Sequence, residues 1–225
     1  MQNCRCTRRR WLKTGKWKGE QRVWKCFFCG FEQAEAEPFH HQQPKILYID
    51  IETSLSRMYN FGLRVRGEFV NPDLLDKEYY IICWSASWVG SNEVYSGCVT
   101  PQAARKWSDK AILKPIWKLM DEADVISGHN VSGFDIKRLN ARFLLNGMNP
   151  PLDFAVMDTL KVARNRFSFE SNKLDYIAKR LGFRPKDAMG LDDWKKIAES
   201  GDEKTLAKMQ KYNKGDVREG KKVLE

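Results

Sequence analysis

KILYIDIET, residues 45–53, is an apolar run ending on two carboxylates, and its reading decides both the fold and the place of the chemistry. Ile46, Leu47, Ile49 and Ile51 make a strand apolar enough to belong in the middle of a sheet. Residues two apart on a strand project from the same face, so Asp50 and Glu52 point the same way from a buried element. Two like charges there are costly unless cations hold them together. Hard divalent ions such as Mg²⁺ or Mn²⁺ are the usual holders. The bland alternative is a strand fraying into a polar turn. The pair alone does not choose between these; two downstream motifs do.

The 225 residues suit one compact domain with a small appendage. A hydrophobic content of 42% with 12% aromatics is that of a folded chain rather than a disordered one. No run of eighteen apolar residues predicts a membrane span, and the basic N-terminus MQNCRCTRRRWLK lacks the apolar core of a secretory signal. A cytoplasmic protein is therefore expected, in which six cysteines read as metal ligands or core residues before disulfides. The net charge of +10 is uneven: residues 1–31 carry nine Lys/Arg against one acid, Glu20, so +8 sits there. That asymmetry marks a polyanion-binding module attached to a near-neutral body, and the interleaved Trp11, Trp17 and Trp24 argue against a merely solvated tail.

The composition divides the chain into a module over 1–31, a polar, proline-bounded linker over 32–44, and a body over 45–225. Strands are predicted at 45–51, 79–89 and 93–99, the last two joined by a hairpin turn at Gly90-Ser91-Asn92, with short buried strands at 123–127 and 154–157. Helices are predicted over 101–121, 133–147, 158–165, 171–182, 191–199 and 202–225. Residues 55–78 fit no single element and read as a loop or hairpin insertion beside the first motif. Early hairpin-linked strands followed by strands alternating with helices imply an α/β layer fold with a mixed sheet.

The second motif is ISGHNVSGFD (126–135): a buried strand runs into Gly128, a loop carries His129 and Asn130, and Asp135 stands in the first turn of the next helix. A carboxylate there can bind metal at the mouth of a sheet, although it can also merely favour the helix N-terminus. The third is YNKGDVREGKKVL (212–224), in which Tyr212 and Asp216, four apart, share a helix face. Asp158 reads as a helix cap, His129 as a structural histidine, and Cys83, Cys98, Trp84, Trp88, Trp107 and Trp117 as core.

In that order and spacing, YIDIET, GHNVSGFD and YNKGD resemble the three motifs of the DEDDy branch of the DEDD 3′–5′ exonucleases, which have a ribonuclease H-like fold. The second motif is also similar to that of the proofreading domains of family B DNA polymerases. MDTL (157–160), NKLDYIAKRLG (172–182) and DDWKKIA (192–198) are similar to stand-alone exonucleases of bacteria and phages, so that host cytoplasm is the expected compartment of a phage-encoded protein. The resemblance covers about residues 45–225; it departs from the pattern in that only nine residues follow Asp216. It implies that Asp50, Glu52, Asp135 and Asp216 hold two Mg²⁺ or Mn²⁺ ions, with Asp50 bridging and Asp135 on the leaving-group side. It further implies that Tyr212 orients the attacking water and that Asn130 and Phe134 grip the terminal nucleotide. Two such ions, about 3.5–4 Å apart, clamp the attacking and leaving oxygens of an in-line displacement.

Cys4-x-Cys6, then Cys26-x2-Cys29-Gly30, reads as a Cys₄ site for one structural Zn²⁺; His40 or His41 is a rival for one ligand. A module of that size has too small a core to fold unaided, so metal would supply its stability. Arg8, Arg9, Arg10, Trp11 and Trp17 beside it suit phosphate contact and base stacking. The expectation is a metal-dependent 3′–5′ exonuclease on an α/β, ribonuclease H-like mixed sheet behind a zinc-ribbon, a monomer acting on DNA (single-stranded) with replication or repair proteins as partners. The alternatives are an RNA-directed or structure-selective nuclease of the same fold, a zinc-ribbon regulator on a scaffold, or an inactive nucleic-acid-binding protein. The complete acidic set disfavours the last two.

Overall fold

A computed structural model describes residues 11–18, 21–26, 30–35, 44–60, 71–151, 153–183 and 189–225, and divides the chain into two units, 1–43 and 44–225. In the first unit β1 (Trp11–Lys18) pairs antiparallel with β2 (Gln21–Cys26), whose other edge pairs with β3 (Glu32–Glu35). The sequence places 32–35 in a linker. Its polar EQAE becomes a strand because β2 offers it a free edge of backbone donors and acceptors, which outweighs the lack of an apolar pattern. Cys26 is buried, and the chain turns back after it through Gly30, whose φ of +72° suits glycine. The Gly30 amide donates to the Cys26 carbonyl (2.9 Å), and the Cys26 amide donates to the Phe31 carbonyl (2.8 Å).

The second unit is built on β4 (Ile46–Thr53). After it the chain makes a small antiparallel pair, β5 (Arg57–Met58) with β6 (Leu75–Lys77), so the insertion is a hairpin in its described part. β7 (Ile81–Trp88) and β8 (Tyr95–Cys98) follow, then α1 (Pro101–Arg105), α2 (Lys110–Glu122) and β9 (Val125–Gly128). α3 (Asp135–Leu145), β10 (Ala155–Asp158), α4 (Thr159–Arg166), α5 (Leu174–Arg180), α6 (Leu191–Ser200) and α7 (Glu203–Leu224) complete it. The sheet order is β10-β9-β4-β7-β8, with β9 parallel to β4 and to β10, β7 antiparallel to β4, and β8 antiparallel to β7. β4 is its central strand, where its apolarity predicts it. The fold is the expected mixed α/β sheet flanked by helices.

The helix predicted over 101–121 is instead two. Trp107 takes a φ of +52°, the chain turns, and Asp109 is drawn inward ahead of α2. There its buried carboxylate accepts the Ile81 amide (3.0 Å) and a forked pair from Arg142 Nε and a terminal guanidinium nitrogen (2.7 and 2.9 Å). One ion pair thus ties the start of β7 to α2 and α3.

The two faces of the sheet differ. Leu47, Ile49 and Ile51 on β4 and Ile82, Trp84 and Ala86 on β7 lie in the apolar core, where Trp84 Nε1 donates to the Ile112 carbonyl of α2 (2.7 Å). Alternation puts Tyr48, Asp50 and Glu52 on the other face, opposite Ser87, Ser85 and Cys83 of β7, with Ser96 and Cys98 of β8 beyond. α7 lies on this small, polar face: Gln210 Nε2 donates to Ser96 Oγ (3.1 Å) and Lys221 Nζ to Ser87 Oγ (3.2 Å). Gly220 of α7 sits so near Tyr48 that a Cβ there would overlap the phenol oxygen. Gly220→Ala is therefore expected to lower stability by about 1–3 kcal/mol through overpacking, although alanine gains about 1 kcal/mol in helix propensity. Thermal melts check this. Adding Tyr48→Phe, which deletes the overlapping oxygen but keeps the ring carbons that the Cβ also meets, should recover only part of the loss.

Candidate active site

Three carboxylates meet on that polar face. Oxygens of Asp50 and Glu52 on β4 and of Asp216 on α7 lie within 4.8 Å of one another. Asp216 is buried, and Asp50 and Glu52 are half-buried. Tyr212, Asn213, Asp216 and Gly220 fall on one side of α7 by helical spacing, and Asn213 Nδ2 donates to Asp50 Oδ2 (2.7 Å). Asn213 is a site residue that the sequence does not single out, although its position three before Asp216 carries the signal. Tyr212 is half-buried beside the cluster. Burial first, and then the charges of Asp216, Glu52 and Asp50, push its phenol well above its usual range, so it keeps its proton.

Asp135 stands just outside this group of three. β9 pairs with β4 only along Ile46–Tyr48, so the Ile51 amide, on the β9 side beyond that pairing, has no strand to bond. Asp135 Oδ1 accepts it (3.0 Å), between the two acidic positions of β4. Burial pushes the Asp135 carboxyl up to about 7 despite this amide, with the Asp158 charge adding to the rise. The charges of Asp50, Asp135 and Asp216 all act on buried Tyr48, so the four motif carboxylates converge around one strand end.

The loop between β9 and α3 is held from below by Asp158. Its carboxylate accepts the Asn130 amide (3.0 Å), the Ser132 amide (3.1 Å) and the Ser132 hydroxyl (2.6 Å), and also caps α4 through the Leu160 amide (3.0 Å). Burial alone would raise Asp158, but these donors together hold it below its ordinary value. Asn130 is exposed at a φ of +66°. His129 is structural, bonding Thr159 Oγ1 through Nδ1 (3.0 Å) and the Asn172 carbonyl through Nε2 (2.8 Å). Phe134 is half-buried, and the Arg138 guanidinium lies 4.6 Å from its ring centroid and 4.1 Å from that of Tyr79. Arg138 follows Phe134 by one helical turn and was open to prediction; Tyr79 meets it only in the fold. Cys4, Cys6, Cys29, Arg8, Arg9 and Arg10 lie outside the described residues, as do His40 and His41, and of Trp11 and Trp17 only the strand position is described.

The donor set fits a hard divalent cation: three carboxylates on rigid elements, oxygen only, converging within one ion's reach. Asp50, Glu52 and Asp216 could hold it.

Comparison with known proteins agrees. The RNase_H superfamily model matches residues 73–225, and the chain belongs to that superfamily. The match includes Asp135, Tyr212 and Asp216 and begins after Asp50 and Glu52. Among solved structures the chain is similar to the family B DNA polymerase from the hyperthermophilic archaeon Pyrobaculum calidifontis, at 16% identity with a TM-score of 0.61. That alignment covers 96% of this chain and 28% of the polymerase, and at this identity it speaks for the fold alone. No curated protein matches the chain. A ribonuclease H-like fold with this acidic cluster supports a nuclease, a hydrolase of phosphodiesters. Among the described residues no helix is long and apolar enough to cross a membrane.

The Asp135 environment has a measurable consequence. A free aspartate titrates near 3.9, so between that pH and about 7 the folded, metal-free chain binds a proton that the unfolded chain has released. Stability must fall as pH rises through this window. Asp135→Asn keeps an acceptor for the Ile51 amide but removes the charge. In chelator its melting temperature should exceed the wild type's by a margin that widens by several degrees from about pH 5 to pH 8. A constant margin would show that Asp135 is solvated.

Proposed function

We propose that the chain is a metal-dependent exonuclease of the DEDDy type, removing nucleoside 5′-monophosphates from the 3′ end of DNA, single-stranded by preference. The observation that carries this is Tyr212 one turn ahead of Asp216, with its phenol beside the Asp50, Glu52 and Asp216 carboxylates. Asp50, Glu52 and Asp216 would hold Mg²⁺ or Mn²⁺, with Asp135 behind them for the second of two ions. When bound, such ions offset the carboxylate charge, acidify water and stabilise the leaving oxygen. The chain's own residues do the rest. Asn213 fixes the Asp50 rotamer by its 2.7 Å bond. The protonated Tyr212 hydroxyl orients the attacking water towards the phosphorus. Asn130 and Phe134, at the rim of the loop that Asp158 pins, take the terminal nucleotide.

The deciding experiment is degradation of 5′-labelled single-stranded DNA and RNA with Mg²⁺ or Mn²⁺, against a chelator control. Shortening from the 3′ end, with monophosphate release and faster loss of DNA, is the expected result. Asp50→Ala should abolish cleavage and leave the fold intact. Tyr212→Phe should lower kcat by roughly 10²-fold or more with KM little changed, the usual scale for a group positioned on a proton-transferring water. Wild-type turnover in Asp50→Ala would sink the assignment.

We also propose that the first unit is a zinc-ribbon, with Cys4, Cys6, Cys26 and Cys29 as ligands, that recruits nucleic acid. Support comes from the buried Cys26 at the mouth of a turn closed by Gly30. One zinc per chain is expected in metal analysis of purified protein, lost in Cys26→Ser/Cys29→Ser. Protein without zinc would remove the ribbon from the proposal.

A further inference from the structure

We infer that the outer edge of the sheet, along β10, α4 and the loop after it, is a second nucleic-acid contact: a track for single-stranded nucleotides beyond the carboxylate site. This rests on the nuclease reading above for its role, though not for its existence.

Lys161, Arg164, Arg166 and Lys173 are all exposed, and no carboxylate of the described residues lies within ion-pair distance of any of them. Over 161–173 they face a single acid, Glu170, for a local charge of +3. Elsewhere in this unit some exposed lysines find carboxylates, as Lys45 finds Glu122 and Lys208 finds Asp193; what sets this stretch apart is that its cations stand beside exposed aromatic surface. Unpaired cations side by side repel one another, and a phosphate backbone relieves that repulsion.

Aromatic surface lies among these charges. Phe167 is 58% exposed, and its ring stacks on that of Phe169 with centroids 5.5 Å apart and planes 29° apart. A preformed stack whose outer ring, Phe167, is exposed and whose inner ring, Phe169, is half-buried is a platform for an unpaired base, which duplex nucleic acid does not offer. Arg164 and Arg166, which precede the first ring in the chain, and Lys173, which follows the second, can contact the flanking phosphates. Beside the platform an open cleft of about 350 Å³ runs between α4 and β10, lined by Ser132, Met157, Lys161, Asn165 and Arg166, with Asp158, its carboxylate already engaged by the loop and by the α4 cap, at its inner end.

The cleft reaches the site. Ser132 belongs to the loop of Asn130 and Phe134, and Asp158 ties that loop to the first turn of α4. His129 ties it again, through the Asn172 carbonyl, to the segment that carries Phe167 and Phe169. A strand lying on the rings and along the cleft therefore arrives at the residues proposed to grip its end. The exposed Val156, Met157 and Val162 would also suit a protein strand, but the excess of cations favours a polyanion.

Binding measured on the full chain in chelator, where nothing is cut, tests the track. Fluorescence anisotropy would compare oligodeoxythymidylates of about sixteen and about four nucleotides, the upper and lower site sizes for such surfaces. For the longer one, Arg164→Glu/Arg166→Glu should raise Kd at least tenfold. It should also flatten the slope of log K against log salt by about 1.4, the share of two phosphate contacts on a single strand. Phe167→Ala should raise the same Kd roughly tenfold. The short oligonucleotide, which the carboxylate site alone can hold, should change less than twofold. An unchanged Kd for the longer strand overturns the track and leaves this face to a protein. Equal losses for both lengths also overturn it, since the effect would then lie within the carboxylate site. Absence of cleavage in Mg²⁺ or Mn²⁺, with length-dependent binding lost in these variants, would remove the exonuclease reading and leave the track standing. Melting curves equal to the wild type's exclude misfolding.

Discussion

Like charge held on the face of a sheet is the constraint around which the second unit is arranged. Asp50, Glu52 and Asp216 crowd within 4.8 Å, and Asp135 sits one backbone position away. Gathering them without cations costs free energy, and the fold offsets part of it with donors already in place. Asn213 bonds Asp50, and the Ile51 amide, left over where β9 stops pairing, bonds Asp135. A divalent ion held there would offset the remaining repulsion, and metal affinity and folding stability would then be two aspects of one quantity.

The same constraint explains the unequal faces of the sheet. A helix bringing Tyr212 and Asp216 to β4 must come close, so the strands beneath it carry Ser85, Ser87, Ser96 and Cys83 where bulky residues would hold it off, and α7 presents Gly220 to Tyr48. Stability comes from the opposite face, where Leu47, Ile49, Ile51, Trp84 and the α2 residues pack. One side of the sheet is thus built for cohesion and the other for chemistry. Asp109 and Arg142, forked and buried, keep the cohesive side in register with the start of β7.

Much of this was legible in the sequence because it is local. Strand alternation fixes Asp50 and Glu52 on one side, helical spacing fixes Tyr212 with Asp216, and the loop before α3 announces itself by Gly128 and Asn130. What was not legible depends on partners distant in sequence. Nothing in PQAARKWSDKA shows that Asp109 will turn inward to Arg142 and split a helix, since Arg142 lies 33 residues on. The strand Glu32–Glu35 exists because β2 has an edge to fill. That Asp135 bonds a β4 amide, rather than joining the other three carboxylates directly, follows from where β9 ends.

The position of α7 in chain order has a kinetic meaning. β4 supplies the first two carboxylates near the start of this unit, whereas Asp216 and Tyr212 arrive on its final helix, more than 150 residues later. Contacts so distant in sequence carry a loop-closure cost that local ones do not. Until α7 is seated, the polar face of the sheet stands open and its acidic pair is too sparse a ligand set to seize an ion firmly. In a chain of this design the cluster of three carboxylates exists only once α7 has docked on β4, so the candidate metal site and the packed polar face of this unit are completed by the same contact.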